Sequence, residues 1–236
     1  MTSIIIPAHN ERKNLEKLLP WLLEICNGKD TEVLVALSPN THDGSETLSI
    51  GAQGQVFNCA KQGRAAQMNE GARRAKGNCI VFLHADVLPP KSFVNDMECT
   101  LKSGHEAGFF SYVFDRDHPL LNINASFTTK DGFFTGGGDQ CLFIKNTLFW
   151  ELGGFNEAQL LMEDFEFFKR MRSHKVPYTI VKNNLVVSAR KYDLNSYWRV
   201  NLTNLLLVLL FRAGYPSRKL QRLHDLLIKT SSSQKD

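Results

Sequence analysis

Cys79-Ile80-Val81-Phe82-Leu83-His84-Ala85-Asp86 is an apolar run that ends on a histidine and an aspartate. Gly77-Asn78 precedes it and Pro89-Pro90 follows it. A continuous apolar run between turn residues reads as a strand buried on both faces, the kind found inside a parallel sheet. In an open α/β sheet, ligands sit at the carboxyl ends of such strands, so His84 and Asp86 stand where a ligand would. Strand alternation gives those two residues one face and Ala85 the other. A carboxylate beside an imidazole there can hold a divalent cation. The plain alternative is that Asp86 caps the next helix or closes a turn.

Upstream, Gly63 to Gly77 reads as a helix whose Ala65, Met68, Ala72 and Ala75 make a narrow face able to approach a sheet closely. Gly77 is expected just past its C-terminus. Lys61, Gly63 and Arg64 lie at its start, where cations and free N–H groups suit a phosphate; a solvated basic loop is the alternative. Ile4 to Ile6, stopped by Pro7, reads as a first strand. Asn10 is the expected N-cap of a helix carrying Leu15, Leu18, Leu19, Leu22, Leu23 and Cys26. Pro20 inside that pattern predicts a kink or two short helices. Thr31 to Leu37 and, more weakly, Gln55 to Cys59 read as further strands, with a turn-rich loop over Ser38 to Ser45. Residues 1–90 thus alternate strand and helix, which argues for a parallel sheet with helices on both faces and a nucleotide-binding type of half. There is no GxGxxG and no GxxxxGK[ST], which argues against a dinucleotide fold and a P-loop.

After Pro90 the alternation loosens. Phe93 to Leu101 is expected to be a helix and Gly108 to Phe114 a strand; Leu120 to Thr128 is ambiguous. Phe133 to Gln140 combines aromatics, three glycines and Asp139, which suits either backbone approach to a ligand or a flexible turn. Cys141 to Lys145 reads as a strand and Asn146 to Leu152 as a short helix. Glu163 and Asp164 open a helix carrying Phe165, Phe168 and Met171. Carboxylates stabilise helix starts, and one of the two could also point into a pocket as a general base. Pro177 to Lys182 and Leu185 to Ala189 read as two strands, closed by Arg190-Lys191. Asn201 to Arg212 is very apolar yet shorter than the roughly 20 residues needed to span a bilayer. It reads as a buried helix, with shallow seating at a membrane surface as the alternative. Residues 231–236 read as a disordered tail.

The 236 residues are 43% hydrophobic and 22% charged, with a net charge of +4. That suits an anionic ligand, and the absence of a Lys/Arg stripe with interleaved aromatics argues against nucleic acid. The five cysteines are scattered without CxxC or Cys/His spacing, so they read as small buried residues in a reducing compartment rather than as zinc ligands. The N-terminus enters a strand directly, so a signal peptide is not expected and the cytoplasm is.

Four blocks in order resemble family 2 inverting glycosyltransferases of the GT-A fold. They are Ser3-Ile-Ile-Ile-Pro-Ala-His-Asn-Glu11; Gly63 to Gly77 running into Phe82-Leu-His-Ala-Asp86; Gly138-Asp-Gln140 with Gly153-Gly-Phe155 and Met162-Glu-Asp164; and Ser188-Ala-Arg-Lys191 before the apolar helix. The set is most similar to a small bacterial subgroup named for its association with radical-SAM/selenium-domain proteins. The resemblance implies one GT-A domain over 1–230, with a Rossmann-like, mostly parallel sheet, helices on both faces and further helices at the C-terminus. Residues 1–90 would hold a nucleoside-diphosphate sugar and 91–230 an acceptor, a sugar or a lipid-linked one. Pro7, Ala8 and Glu11 would line the nucleotide pocket, and Lys61 and Arg64 would lie near the base or diphosphate. Asp86 matches the last carboxylate of the family's Asp-x-Asp metal motif, for Mn²⁺ or Mg²⁺, and Asp164 matches the catalytic base. His84, Asp139, Gln140, Glu163 and Arg190 would complete the substrate-facing set.

Two departures stand out. His84 replaces the first aspartate of the metal motif, which would favour Mn²⁺ over Mg²⁺. Val35-Ala36-Leu37-Ser38-Pro39-Asn40 lacks the aspartate that usually reads a uracil ring, and Asp43 belongs to the loop beyond. A nucleotidyltransferase would need a Gly-rich basic loop after the first strand, and Pro7 to Glu11 is acidic and glycine-free. A non-catalytic sugar- or nucleotide-binding protein is the other alternative; the missing aspartate favours it, while Asp86 and Asp164 oppose it.

Overall fold

The computed structural model describes residues 1–132 and 134–229; Phe133 and the tail expected over 231–236 lie outside them. The strands are β1 (Thr2–Ala8), β2 (Thr31–Leu37), β3 (Gly54–Asn58), β4 (Cys79–Phe82), β5 (Val87–Leu88), β6 (Ala107–Phe114), β7 (Phe143–Lys145) and β8 (Tyr178–Val187). They form one sheet in the order β3-β2-β1-β4-β7-β6-β8-β5. Pairing is parallel from β3 to β4 and again between β6 and β8, and antiparallel around β7 and at β5. The helices are α1 (Arg12–Cys26), α2 (Arg64–Arg74), α3 (Phe93–Lys102), α4 (Pro119–Ser126), α5 (Asn146–Glu151), α6 (Glu163–Ser173), α7 (Lys191–Leu194), α8 (Tyr197–Arg212) and α9 (Ser217–Leu227).

Strand alternation builds two cores. Ile4 and Ile6 pack with Leu15 and Leu22 of α1 and with Phe93 and Met97 of α3. Ile5, between them, packs on the other face with Met68 and Ala72 of α2, Phe149 of α5, and Phe167 and Met171 of α6. Helices therefore cover both faces, as a parallel sheet requires. The small face of α2 works as read, and closely: a Cβ on Gly71 would come 2.5 Å from Ile5 Cγ2.

β7 controls where the site forms. It lies between β4 and β6 and runs antiparallel to both. The segment entering β7 therefore arrives beside the carboxyl end of β4, where Phe82 N donates to Leu142 O at 2.9 Å. A parallel strand in that place would have brought its leading segment to the opposite edge.

Several local expectations are corrected. Pro7 does not stop β1; it lies inside the strand, opposite Ala36. Asn10 is not the N-cap of α1. It has a positive φ of 53°, and its side chain instead accepts from His42 N at 2.9 Å. The capping carboxylate comes from Asp43, whose Oδ2 accepts from Arg12 N at 2.7 Å. Pro20 lies within an unbroken α1 on its exposed side, where water can satisfy the carbonyl that Pro leaves unpaired. β8 is one strand rather than two, with a register irregularity against β6 between Phe110 and Tyr112. Asn183 and Asn184, between the two strands expected, lie within β8 and bond sideways to Asp96 and Ser111. Cys99 is exposed, unlike the other four cysteines. In α8 only Val200, Thr203, Leu207 and Val208 are buried, so it is not the enclosed helix its composition suggested. No helix among the described residues is long and apolar enough to cross a membrane.

Gly77 also has another role than the C-cap expected of it: α2 ends with Ala75 in an extended conformation. Gly77 N donates to Ser3 Oγ at 2.8 Å, Ser3 Oγ donates to Glu32 Oε1 at 2.6 Å, and Lys76 N donates to the same carboxylate oxygen. A Cβ on Gly77 would lie 2.7 Å from Ser3 N, a backbone atom that cannot swing aside. Gly77→Ala is expected to destabilise the fold by about 1–3 kcal/mol through overpacking, read as a lower urea midpoint at unchanged m-value.

Candidate active site

The carboxyl ends of β1 and β4 and the start of β7 open into one cavity of about 1700 Å³. Glu11, Arg64, His84, Asp139, Gln140, Asp164 and Arg190 all line it. Expected site residues far apart in sequence are thus brought together. The loop after β4 presents His84 and Asp86. The β1–α1 turn presents Glu11, and α2 starts with Arg64. The turn before β7 brings Gly138 to Gln140, α6 starts with Glu163 and Asp164, and the end of β8 leads into Arg190 and Lys191.

Arg64 carries the central contacts. Its Nε donates to Glu163, and another guanidinium nitrogen lies 3.2 Å from Asp164 Oδ2. Met162, in the left-handed region at φ 65°, sets the two acids apart at the helix start. Glu163 is 2% exposed, and the guanidinium holds its carboxyl below the usual range despite burial. Asp164 faces the cavity. Burial and the neighbouring Glu163 charge push its carboxyl up to about 6, against the pull of Arg64. Two adjacent acids therefore differ in proton affinity because only one has the closer grip of Arg64.

His84 lies on the other side of Asp164. Burial alone would lower its imidazole pKa, but Asp139, 3.6 Å away, and Asp164 outweigh burial and raise it. The second oxygen of Asp139 is 3.4 Å from Lys191 Nζ. Burial would raise the Asp139 carboxyl, but Lys191, His84 and Arg64 bring it well below the usual range. Gly138 lies against this group. A Cβ there would sit 2.4 Å from the His84 ring and 2.6 Å from Asp164 Oδ2, so the close approach requires glycine.

Arg190 closes the other wall. It grips both oxygens of Glu11 at 2.9 and 2.6 Å and lies 3.1 Å from Asp86 Oδ2. Asp86 therefore caps no helix: α3 starts after Ser92, and the Asp86 carbonyl accepts from Ser188 N. Asp86 remains partly exposed beside the cavity. Among the described residues no cage of three or more His, Cys, Asp or Glu side chains is assembled. One accessible carboxylate still suits Mg²⁺ or Mn²⁺ when phosphate oxygens and water supply the other ligands, so Asp86 fits a cation shared with a diphosphate.

Other expected residues lie elsewhere. Pro7 and Ala8 are buried within β1 and do not line the cavity. The Ala8 carbonyl accepts from Gln67 Nε2 and from Ser38 N. Lys61 points away to Glu157, at 2.7 Å, alongside Arg73. Gln140 lines the cavity while its amide braces Gly136 N and Thr128 O. Asp43 lines the cavity as well, with its carboxylate committed to capping α1 and to Ser45. Lys191, paired with Asp139, and Tyr112 also line the cavity. Lys191 stands beside Arg190 in the Ser188–Lys191 block, but Tyr112, one of many aromatics, had no sequence signal.

A half-parallel sheet with a reversed strand beside the last parallel one, and an acidic site at its carboxyl edge, is the GT-A glycosyltransferase architecture. The mannosyltransferase of Pyrobaculum calidifontis, solved with GDP-Man and Mn²⁺, superposes with a TM-score of 0.65 at 20% identity, covering 96% of this chain and 69% of that one. The chain belongs to glycosyl transferase family 2, whose sequence model matches residues 3–146. An uncharacterized glycosyltransferase of Haemophilus influenzae is 24% identical over 201 residues, covering 76% of this chain and 65% of that protein. The dolichol-phosphate mannosyltransferase of Pyrococcus furiosus is 29% identical over 108 residues, covering 44% and 31%. The chain thus spans less than two thirds of the length of these curated relatives.

The Asp164 carboxyl is expected to titrate near pH 6 by ¹³C NMR. Arg64→Met removes a positive charge that favours the carboxylate, so it should move that pKa upward. A downward move would contradict the charge arrangement described here.

Proposed function

We propose that this chain is an inverting glycosyltransferase that moves a sugar from a nucleoside diphosphate to an acceptor hydroxyl by direct displacement. The observation that carries this reading is Asp164, an acid of raised pKa facing the cavity opposite the Glu11–Asp86–Arg190 wall. In this reading Asp164 takes the proton of the acceptor hydroxyl as its oxygen attacks the anomeric carbon. The bond from that carbon to the diphosphate oxygen breaks on the far side, and the diphosphate leaves with the electron pair. Residues 1–90 hold the donor and 91–230 the acceptor, within one domain.

Around Arg64 and Arg190, the carboxylates Glu11, Asp86, Asp139, Glu163 and Asp164 are each held by Arg64, Arg190, Lys191 or His84, and Arg12, Lys13 and Lys229 also line the cavity. Arg64, Arg190 and Lys191 are already paired with carboxylates, so a diphosphate entering beside them meets positive charge that is largely answered. A divalent cation, Mn²⁺ or Mg²⁺, held by Asp86 together with the donor's phosphate oxygens would supply more and offset charge on the leaving group. Arg64 and Arg190 are the chain's own groups for the diphosphate. Relatives bound to or named for GDP-Man and mannosyl transfer support a nucleotide-sugar donor. In this reading the chain is a member of the radical-SAM/selenium-domain-associated subgroup, a proposal that His84 and the Ser188–Lys191 block support. We further propose that it works in the cytoplasm, with peripheral contact at the inner membrane face through residues 201–212.

The test is a thermal-shift panel of nucleoside diphosphates and their sugars, with and without Mn²⁺, followed by transfer assays with the donor that binds. A ligand of the folded state raises its melting temperature. The expected result is a Mn²⁺-dependent rise for one nucleotide, lost in Asp86→Ala. Transfer should increase with pH through about 6, as the carboxylate form of Asp164 becomes available. Asp164→Asn should lower kcat by about 10²–10⁴ with donor binding kept. Full transfer by Asp164→Asn would remove the base assignment, and no nucleotide binding at all would favour a non-catalytic protein.

A further inference from the structure

The cavity has two unlike kinds of wall. One carries the charged groups around Asp164. The other is α8, whose Trp198, Leu202 and Leu205 line the same cavity. These side chains are not packed away: Trp198 is 64% exposed and Leu202 61%. Phe127 lines the cavity too and is also exposed. A contiguous apolar surface of this kind marks a place where something binds. The volume agrees, since about 1700 Å³ exceeds the roughly 300–1,000 Å³ of a usual small-molecule site and leaves room beyond a donor.

Charge narrows the occupant. From Tyr197 to Leu227 the α8–α9 segment carries Arg199, Arg212, Arg218, Lys219 and Arg222 against the single carboxylate of Asp225; these five lie outside the cavity lining, whereas Lys229, just beyond them, is part of it. A second copy docked symmetrically on this face would bring these cations against one another. An apolar chain bearing an anionic group satisfies both the leucines and Lys229, which lines the same cavity and is tied to Asn195 just before α8.

We infer that the α8 side of the cavity binds the apolar chain of an anionic amphiphile, which is the acceptor, and thereby delivers its hydroxyl to Asp164. The inference rests on the reading of Asp164 as the acceptor's base, and it goes beyond surface contact with a bilayer because the chain enters the cavity. Leu202 and Leu205 grip the chain and are specificity-determining residues. Leu206 and Leu209, exposed on α8 but outside the cavity lining, take no part in that grip.

The probe is 11-bromoundecanoate, kept below its micelle-forming concentration, with bromine as a quencher of indole fluorescence. Trp21→Phe/Trp150→Phe leaves Trp198 as the reporter, and circular dichroism checks the fold of every variant. The expected result is saturable quenching of Trp198, with only linear collisional quenching by 3-bromopropionate. Adding Leu202→Glu/Leu205→Glu should weaken the binding at least about tenfold, as losing a few methylene contacts requires. Adding Leu206→Glu/Leu209→Glu instead should leave it unchanged. Linear quenching by both probes would overturn the inference. So would equal saturation in the Leu202→Glu/Leu205→Glu protein, or sedimentation with phosphatidylglycerol vesicles without saturable quenching by the monomer. The donor panel is read separately. Nucleotide-sugar binding without saturable quenching would sink this inference alone, whereas saturable quenching without any nucleotide binding would support the chain site and sink the glycosyltransferase reading.

Discussion

Arg64 is the contact on which the site depends. It opens α2 and reaches the two acids that open α6, and so fastens elements of the two halves of the chain across the end of the sheet. An ion pair that leaves water must be well matched to be tolerated. Here Glu163 is enclosed with its guanidinium partner while Asp164 is left partly solvated beside it. The same arginine that satisfies one carboxylate leaves the next available to chemistry. The remaining cations follow the same scheme: Lys191 answers Asp139, and Arg190 answers Glu11 and Asp86.

Around this contact the scaffold is held by buried amides rather than by further charge. Gln67 donates to the carbonyls of Ala8 and Ala36, tying α2 to the ends of β1 and β2. Asn69 exchanges two backbone bonds with Phe155 and so anchors the stretch that leads to α6. These bonds link two strand ends and one loop through a single helix, so the position of Arg64 is over-determined. That is the condition for a site whose charged groups keep their spacing.

Much of this was legible in the chain. The Cys79 run, the small face of α2 and the acids at 163–164 each follow from short-range rules, because apolar period and helix-end charge are local signals. The errors share a cause. Asn10 is a good local cap, but Asp43 takes that role from 31 residues away. Asn183-Asn184 separates two expected strands until Ser111 and Asp96 supply side-chain partners that keep them in one. Gly77 fits a helix end locally, while its real constraint is the backbone of Ser3. The apolar content of α8 implied burial, and nothing local could say that one side would open into a cavity. Within the site, Glu11, Arg64, His84, Asp139, Asp164 and Arg190 converge as their positions in recognisable blocks implied. Lys61, Pro7 and Ala8 do not, since motif membership does not say which way a side chain turns.

The reversed strand β7 has a consequence for the order of events in folding. It brings Asp139 to β4 only after some sixty residues of intervening chain have been placed, and Arg190 meets Glu11 across a separation of 179 residues. Contacts so distant in sequence form late, because loop closure must come before them. During synthesis, a chain that has not yet emerged beyond α6 carries Glu11 and Asp86 without the guanidinium that later joins them. The sheet's first half can be complete while Glu11 and Asp86 still lack Arg190, so this wall of the site closes only once the chain beyond β8 is in place.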